Sequence, residues 1–171
     1  MALIKKCRGH KPEIPSSCWL AENSTIVGDV KMGENCSIWF NAVVRGDVNS
    51  ITIGDYTNIQ DGAIIHCTYK KAATVIGNRV SIGHNAIVHG CTLEDNVLIG
   101  MGEIVMDHAV VKSGSIIGAG AIVLENTIVE PNSIYVGNPA RKVKEIGDKG
   151  LGMIERTADN YVKYAGWFRD S

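Results

Sequence analysis

The sequence predicts an all-β protein built as a parallel β-helix, a solenoid of short strands, followed by a C-terminal α-helix. Three observations predict it. An aliphatic residue returns every six positions through most of the 171-residue chain, 19 glycines stand against only 4 prolines, and the last stretch changes to helical spacing. A period of six matches neither the 3.6 of an α-helix nor the alternation of a simple strand. It fits a solenoid in which each hexad is one short strand plus a corner, with the aliphatic pointing inward.

The repeat begins Ile14, Leu20, Ile26, Met32, Ile38, Val44. It resumes as Ile53, Ile59, Ile65 and again as Ile76, Ile82, Val88. The last series runs Leu93, Ile99, Val105, Val111, Ile117, Val123, Val129, Tyr135. Four positions after the aliphatic comes a mostly small or branched residue, such as Cys18, Ser24, Val30, Cys36, Ala42, Val48, Thr57 or Ala63. Glycine often follows the aliphatic directly, as at Gly33, Gly54, Gly77, Gly83, Gly100 and Gly118, and is assigned to tight turning. Two insertions, Ser50 to Thr52 and Lys71 to Val75, and one missing residue before Leu93 fall on the same side of a three-sided coil. They read as loops that leave the stacking intact. An open sandwich gives no reason for one fixed period over so long a stretch.

The hexads stop after Ala140, which divides the chain into 1–140, a β-helix with an N-terminal lead-in, and 141–171, a helical segment packing on it. Between Met153 and Phe168, residues Ile154, Ala158, Tyr161, Val162 and Ala165 fall at helical spacing. This amphipathic helix is also a candidate cover for the exposed last coil.

A net charge of −1 offers no electrostatic footprint for nucleic acid or an anionic membrane. No stretch approaches the ~20 apolar residues that span a bilayer. Lys5, Lys6 and Arg8 are followed by neither an apolar run nor a cleavage site, so the expectation is a cytoplasmic protein without a secretory signal. Cys7, Cys18, Cys36, Cys67 and Cys91 show no CxxC spacing and read as reduced thiols.

With three hexads per coil, Arg45, His66 and His89 each follow the inward aliphatic of the third side, at Val44, Ile65 and Val88. They form an outward column on successive coils. A rung spacing of about 4.8 Å brings His66 and His89 close enough to share a metal. His84 lies two residues after Ile82 on another side, directly beyond Asp61, which holds the same place after Ile59. Within one chain it cannot easily reach the column. Two prisms side by side solve this, His84 of one facing His66 and His89 of the next, in an interface that closes as a ring. Three imidazoles leave a tetrahedral Zn²⁺ one open position, the pattern of catalytic sites, and they also suit Fe²⁺ or Co²⁺. His10 and His108 match no such arrangement and read as surface residues.

Four stretches carry a family resemblance: Val43-Val44-Arg45-Gly46-Asp47, Asn58-Ile59-Gln60-Asp61-Gly62, His66 after Ile64-Ile65, and the run Gly83 to Gly90 with His84 and His89. Together they resemble the γ-class carbonic anhydrases, and more closely the bacterial carbonic anhydrase-like proteins often labelled ferripyochelin-binding. The hexads are similar to those of the hexapeptide-repeat family, whose coils wind left-handed. The resemblance covers nearly the whole chain, through Gly100-Met101-Gly102 to the exit Gly137-Asn138-Pro139-Ala140-Arg141, a motif that hexapeptide acyltransferases share.

The resemblance implies a homotrimer that hydrates CO₂ reversibly to bicarbonate. It implies Zn²⁺ held by His66 and His89 of one subunit and His84 of its neighbour, with Arg45 and Asp47 joining subunits by an ion pair. Gln60 matches a residue that orients metal-bound water or bicarbonate. Asp61, stacked beside His84, is a candidate acceptor for a ligand imidazole, and Asn58 reads as a corner residue with backbone hydrogen bonds. One departure concerns proton transfer. Where the family pattern has a glutamate after the Arg-x-Asp motif and an acidic loop after the first histidine ligand, this chain has Val48 and Cys67-Thr68-Tyr69-Lys70-Lys71. The usual shuttle carboxylates are absent. Rival readings are an acyl-CoA thioesterase using the same metal chemistry, a hexapeptide acyltransferase, and an assembly subunit without activity. The acyltransferase needs only a lone general-base histidine and leaves the His66–His89 pair unexplained.

Overall fold

The structure, a computed structural model, describes residues 1–169. Every inward aliphatic of the repeat from Ile26 to Val129 is buried, while Ile14 and Leu20 pack on the same core from its partly exposed first coil. Short parallel strands stack in register along a left-handed β-helix. One face is a continuous ladder from Trp19–Leu20 through Ser37–Ile38, Asn58–Ile59, Ser81–Ile82, Leu98–Ile99 and Ile116–Ile117 to Ser133–Val136. The other two faces form a single eleven-stranded sheet. They join because the strands Thr25–Met32 and Val43–Ile53 run through a corner without a break.

That continuity corrects one expectation. Ser50 to Thr52 form no loop; they lie inside Val43–Ile53, and the extra length is taken up by a register shift between Gly28 and Val30 on the neighbouring strand. The second insertion leaves the ladder only in part: an antiparallel bridge between Thr68 and Ala72 closes a loop, but Thr74 and Val75 are already in the strand Thr74–Ile76, paired with Ile51 and Thr52.

The corners follow a different rule from the one read off the glycines. A positive φ recurs at the third position after the inward aliphatic, on Asn35, Asn85, Asn96 and Asn126, and on Gly62 and Gly102. Asparagine and glycine are the residues that tolerate this left-handed backbone best. The glycine directly after the aliphatic serves close stacking instead. A Cβ on Gly100 would sit 2.4 Å from the Ala119 backbone nitrogen of the next coil.

After the repeat, Arg141–Glu145 adds antiparallel to Ser133–Val136, so 141–145 is strand, not helix. It pairs the edge of the last rung, the place expected for the helix. The helix α1 then spans Asp148–Arg169, starting before Met153 although Gly150 and Gly152 are poor helix formers. Leu151 and Ile154 explain the early start, since they pack with Ile116, Ile134 and Ile146. From there α1 runs back along the ladder face and ends with the Phe168 ring 5.1 Å from that of Trp19 and 5.8 Å from that of Trp39. Among the described residues no helix is long and apolar enough to cross a membrane.

Candidate metal centre

Parallel strands Ile64–His66 and Ile87–His89 pair in register, with His89 directly opposite His66. On the preceding coil Val44 lies opposite Ile65, so Arg45 continues the same column. The ladder places His66 Nδ1 3.1 Å from His89 Nε2. Behind them, His66 Nε2–H donates to Asp47 Oδ1 at 3.0 Å and His89 Nδ1–H donates to Asp107 Oδ1 at 2.6 Å. With those protons committed to carboxylates, each neutral ring turns an unprotonated nitrogen toward the other. Two facing lone pairs repel unless a cation lies between them. Two imidazole nitrogens on a tetrahedral Zn²⁺, with bonds near 2.05 Å, stand about 3.3 Å apart. The pair therefore fits a divalent transition metal.

The surrounding charges keep both carboxylates ionised. At Asp47 partial burial opposes ionisation, but hydrogen bonds from His66 and Arg45 outweigh it and hold the carboxyl below its usual range. At Asp107 burial is likewise outweighed, by hydrogen bonds from Thr68 and His89. Burial pushes His66 below the ordinary histidine value; Asp47 pulls it back, while Arg45 and His89 add to the lowering. A ring kept neutral is one able to ligate.

Asp107 escaped the sequence reading. It lies two residues after Val105, which pairs with Val88 on the next coil. Extending the column by one rung reaches Met106, which has no ligating chemistry of note, and the carboxylate is its neighbour. Thr68, from the loop that replaces the expected acidic one, donates to Asp107 Oδ2 at 2.5 Å. Arg45 pairs with Asp47 of its own chain at 2.5 Å, whereas the resemblance implies a pair between subunits. Val48 packs against the core.

His84 sits apart on the ladder face, its Nδ1 2.8 Å from Asp61 Oδ2. Within one chain, the described residues bring no three His, Cys, Asp or Glu side chains together as a metal site. Gln60 and His84 line a common cavity of about 400 Å³ with Ile99, Ile117 and Tyr161. A second cavity of about 300 Å³ lies between His84, Asp61 and the aromatic rings of α1. The Gln60 amide is fixed from behind: its Nε2 donates to Asn58 Oδ1 at 3.0 Å, and Asn58 Nδ2 donates to Ser81 Oγ at 2.8 Å. Asn58 is thus a buried strand residue bonded to side chains, not a corner residue bonded to backbone. His10 lies exposed beside Asp29, and His108 takes a corner with positive φ.

The bacterial transferase hexapeptide (six repeats) family model matches residues 11–46. The chain is 49% identical over 144 residues to a protein of Methanocaldococcus jannaschii named "Probable carbonic anhydrase", covering 84% of this chain and 90% of that one. It is 38% identical to the mitochondrial gamma carbonic anhydrase 1 of Arabidopsis thaliana over 90% of its own length, and spans 58% of that longer protein. Among solved structures, a hexapeptide transferase family protein from Anaplasma phagocytophilum superposes with a TM-score of 0.93 at 37% identity, covering 97% of this chain and 98% of that one.

Proposed function

Since the chain belongs to the γ-class carbonic anhydrase family of hexapeptide-repeat proteins, we propose that it hydrates CO₂ reversibly to bicarbonate at a metal centre shared between subunits of a homotrimer. The observation that carries the reading is the His66–His89 pair, with two bare nitrogens 3.1 Å apart and a carboxylate behind each ring. When bound, Zn²⁺ supplies Lewis acidity that makes water nucleophilic near neutral pH.

His66 and His89 hold the metal from one subunit. His84, oriented by Asp61, completes the ligand set from the neighbour. Asp47 and Asp107 hold the ring orientations, and Arg45 balances the charge of Asp47. Gln60, its amide fixed by Asn58, presents a hydrogen-bonding group in the His84 cavity, where it orients water or bicarbonate. No carboxylate takes the place held here by Val48 or by the Cys67–Lys71 stretch. Proton release therefore depends on external buffer, and added imidazole is expected to raise CO₂ turnover.

Metal analysis of purified protein followed by CO₂ hydration assays tests the proposal. Wild type is expected to carry one metal per chain, and His89→Ala to lose both metal and activity. Substoichiometric metal together with unchanged activity in His89→Ala would sink the reading. The transferase name of the structural relative favours a second reading, acyl transfer from CoA without metal. An acyl-CoA assay on the same samples separates it: turnover surviving chelation supports acyl transfer, and turnover lost on chelation marks a metal-dependent thioesterase.

A further inference from the structure

Cys18 and Cys36 stand on successive coils at the same inward corner, four residues after Ile14 and Met32. Their neighbours are in register: Trp19 pairs with Ser37, and the Trp19 N–H donates to the Cys36 carbonyl at 2.9 Å. A ladder rung sets Cα atoms about 4.8 Å apart, inside the 4.4–6.8 Å range a disulfide spans. Each thiol donates to the glycine carbonyl of the following coil, Cys18 to Gly33 at 3.1 Å and Cys36 to Gly54 at 3.0 Å, so the two side chains stack one rung apart.

Nothing in the repeat demands sulfur here. Later coils place Thr57, Val80, Val97, Ser115 and Ser133 at the same corner, all buried. The pair is also asymmetric. Cys18 is partly exposed and Cys36 is buried. The neighbouring Cys36 thiol lowers the Cys18 thiol pKa against the effect of burial, and Arg169 adds to the lowering. The neighbouring Cys18 together with burial raises the Cys36 thiol well above its ordinary range. Burial also raises Cys67 and Cys91. A partly exposed thiol of lowered pKa beside a protonated, buried one is the arrangement of an attacking and a resolving cysteine.

We propose that Cys18 and Cys36 form an oxidisable dithiol that hydroperoxides convert to an intrachain disulfide. The Cys18 thiolate attacks one peroxide oxygen and breaks the O–O bond; the other oxygen leaves and takes a proton to become water. Cys18 is then a sulfenic acid. The Cys36 sulfur attacks the Cys18 sulfur, the S–O bond breaks, and the departing hydroxide takes the Cys36 proton as a second water. Two thiols lose two electrons to one peroxide. The bond ties the first coil to the second directly beneath the end of α1, where Arg169 donates to the Ser17 carbonyl and Phe168 packs on Trp19. The metal centre takes no part.

The test is hydrogen peroxide added at low molar excess to the full-length, reduced protein, followed by thiol counting in denaturant and a non-reducing peptide map. Free thiols are expected to fall from five to three, with one Cys18–Cys36 cross-linked peptide that dithiothreitol reverses. In Cys36→Ser, Cys18 is expected to accumulate as a sulfenic acid trapped by dimedone. Five thiols surviving, Cys18 advancing to sulfinic acid with Cys36 still free, or a cross-link joining any other pair would each overturn the proposal. The wild-type map decides this even where the variant fails to fold.

Discussion

At the scale of single residues, two carboxylates have opposite tasks. Asp107 orients His89 through a 2.6 Å hydrogen bond and is itself held by Thr68. Removing such a partner typically costs 10–100-fold in metal affinity. Asp107→Ala is expected to lose affinity by about that factor in a chelator competition, with the fold unchanged by circular dichroism. Glu103 does the reverse of stabilising. It occupies an inward corner position that other coils fill with Ala86 and Ala121, it is fully buried, and its Oε1 has no hydrogen-bond partner. Burial raises its pKa well above the usual carboxylate value, so the folded chain holds its proton where the unfolded chain releases it. Its contribution to stability is complete below about pH 4.3 and is lost as pH rises above that. Glu103→Gln cannot ionise and is expected to abolish this decline. Thermal melts from pH 5 to 8 should show the variant gaining on wild type as pH rises, by several degrees at the upper end. Parallel pH profiles would refute the assignment.

At the scale of elements, what was legible depended on whether a residue's task repeats. The inward aliphatics were legible because each coil buries the same position, so a period of six survives from Ile14 to Tyr135. His66 and His89 were legible for the same reason, since register alone makes them neighbours. The strand Arg141–Glu145 was not, because every one of its residues is exposed and no alternation marks it. The first turns of α1 were hidden behind Gly150 and Gly152, and only their packing on Ile116 and Ile134 decides their state. Glycine was legible in position but not in purpose: close approach at Gly100 and turning at Asn85 look alike as small or polar residues near a corner. Ile154, fully buried beneath α1, fixes the helix to the ladder face. Ile154→Ala is expected to destabilise the protein by about 2–5 kcal/mol in denaturant titrations. A loss confined to the helical signal, with the β-helix transition unmoved, would mean that α1 docks as an independent unit.

At the scale of the whole molecule, the residues of the proposed metal site lie on two separate faces of the chain. One face carries His66 and His89 with their carboxylates, and another carries His84, Asp61 and Gln60 beside an apolar cavity. Neither face alone offers three metal-ligating side chains among the described residues. A closed ring of identical subunits would set one half against the other at every interface. The most direct test mixes two defective proteins. His84→Ala keeps the histidine pair, His89→Ala keeps the third ligand, and each alone should be inactive and poor in metal. Refolded together at equal amounts, random assortment places an intact pair opposite an intact His84 at about one interface in four. CO₂ hydration and bound metal should therefore return to about a quarter of the wild-type values. Verified hybrid assemblies that stay inactive and metal-free would contradict a site shared between subunits.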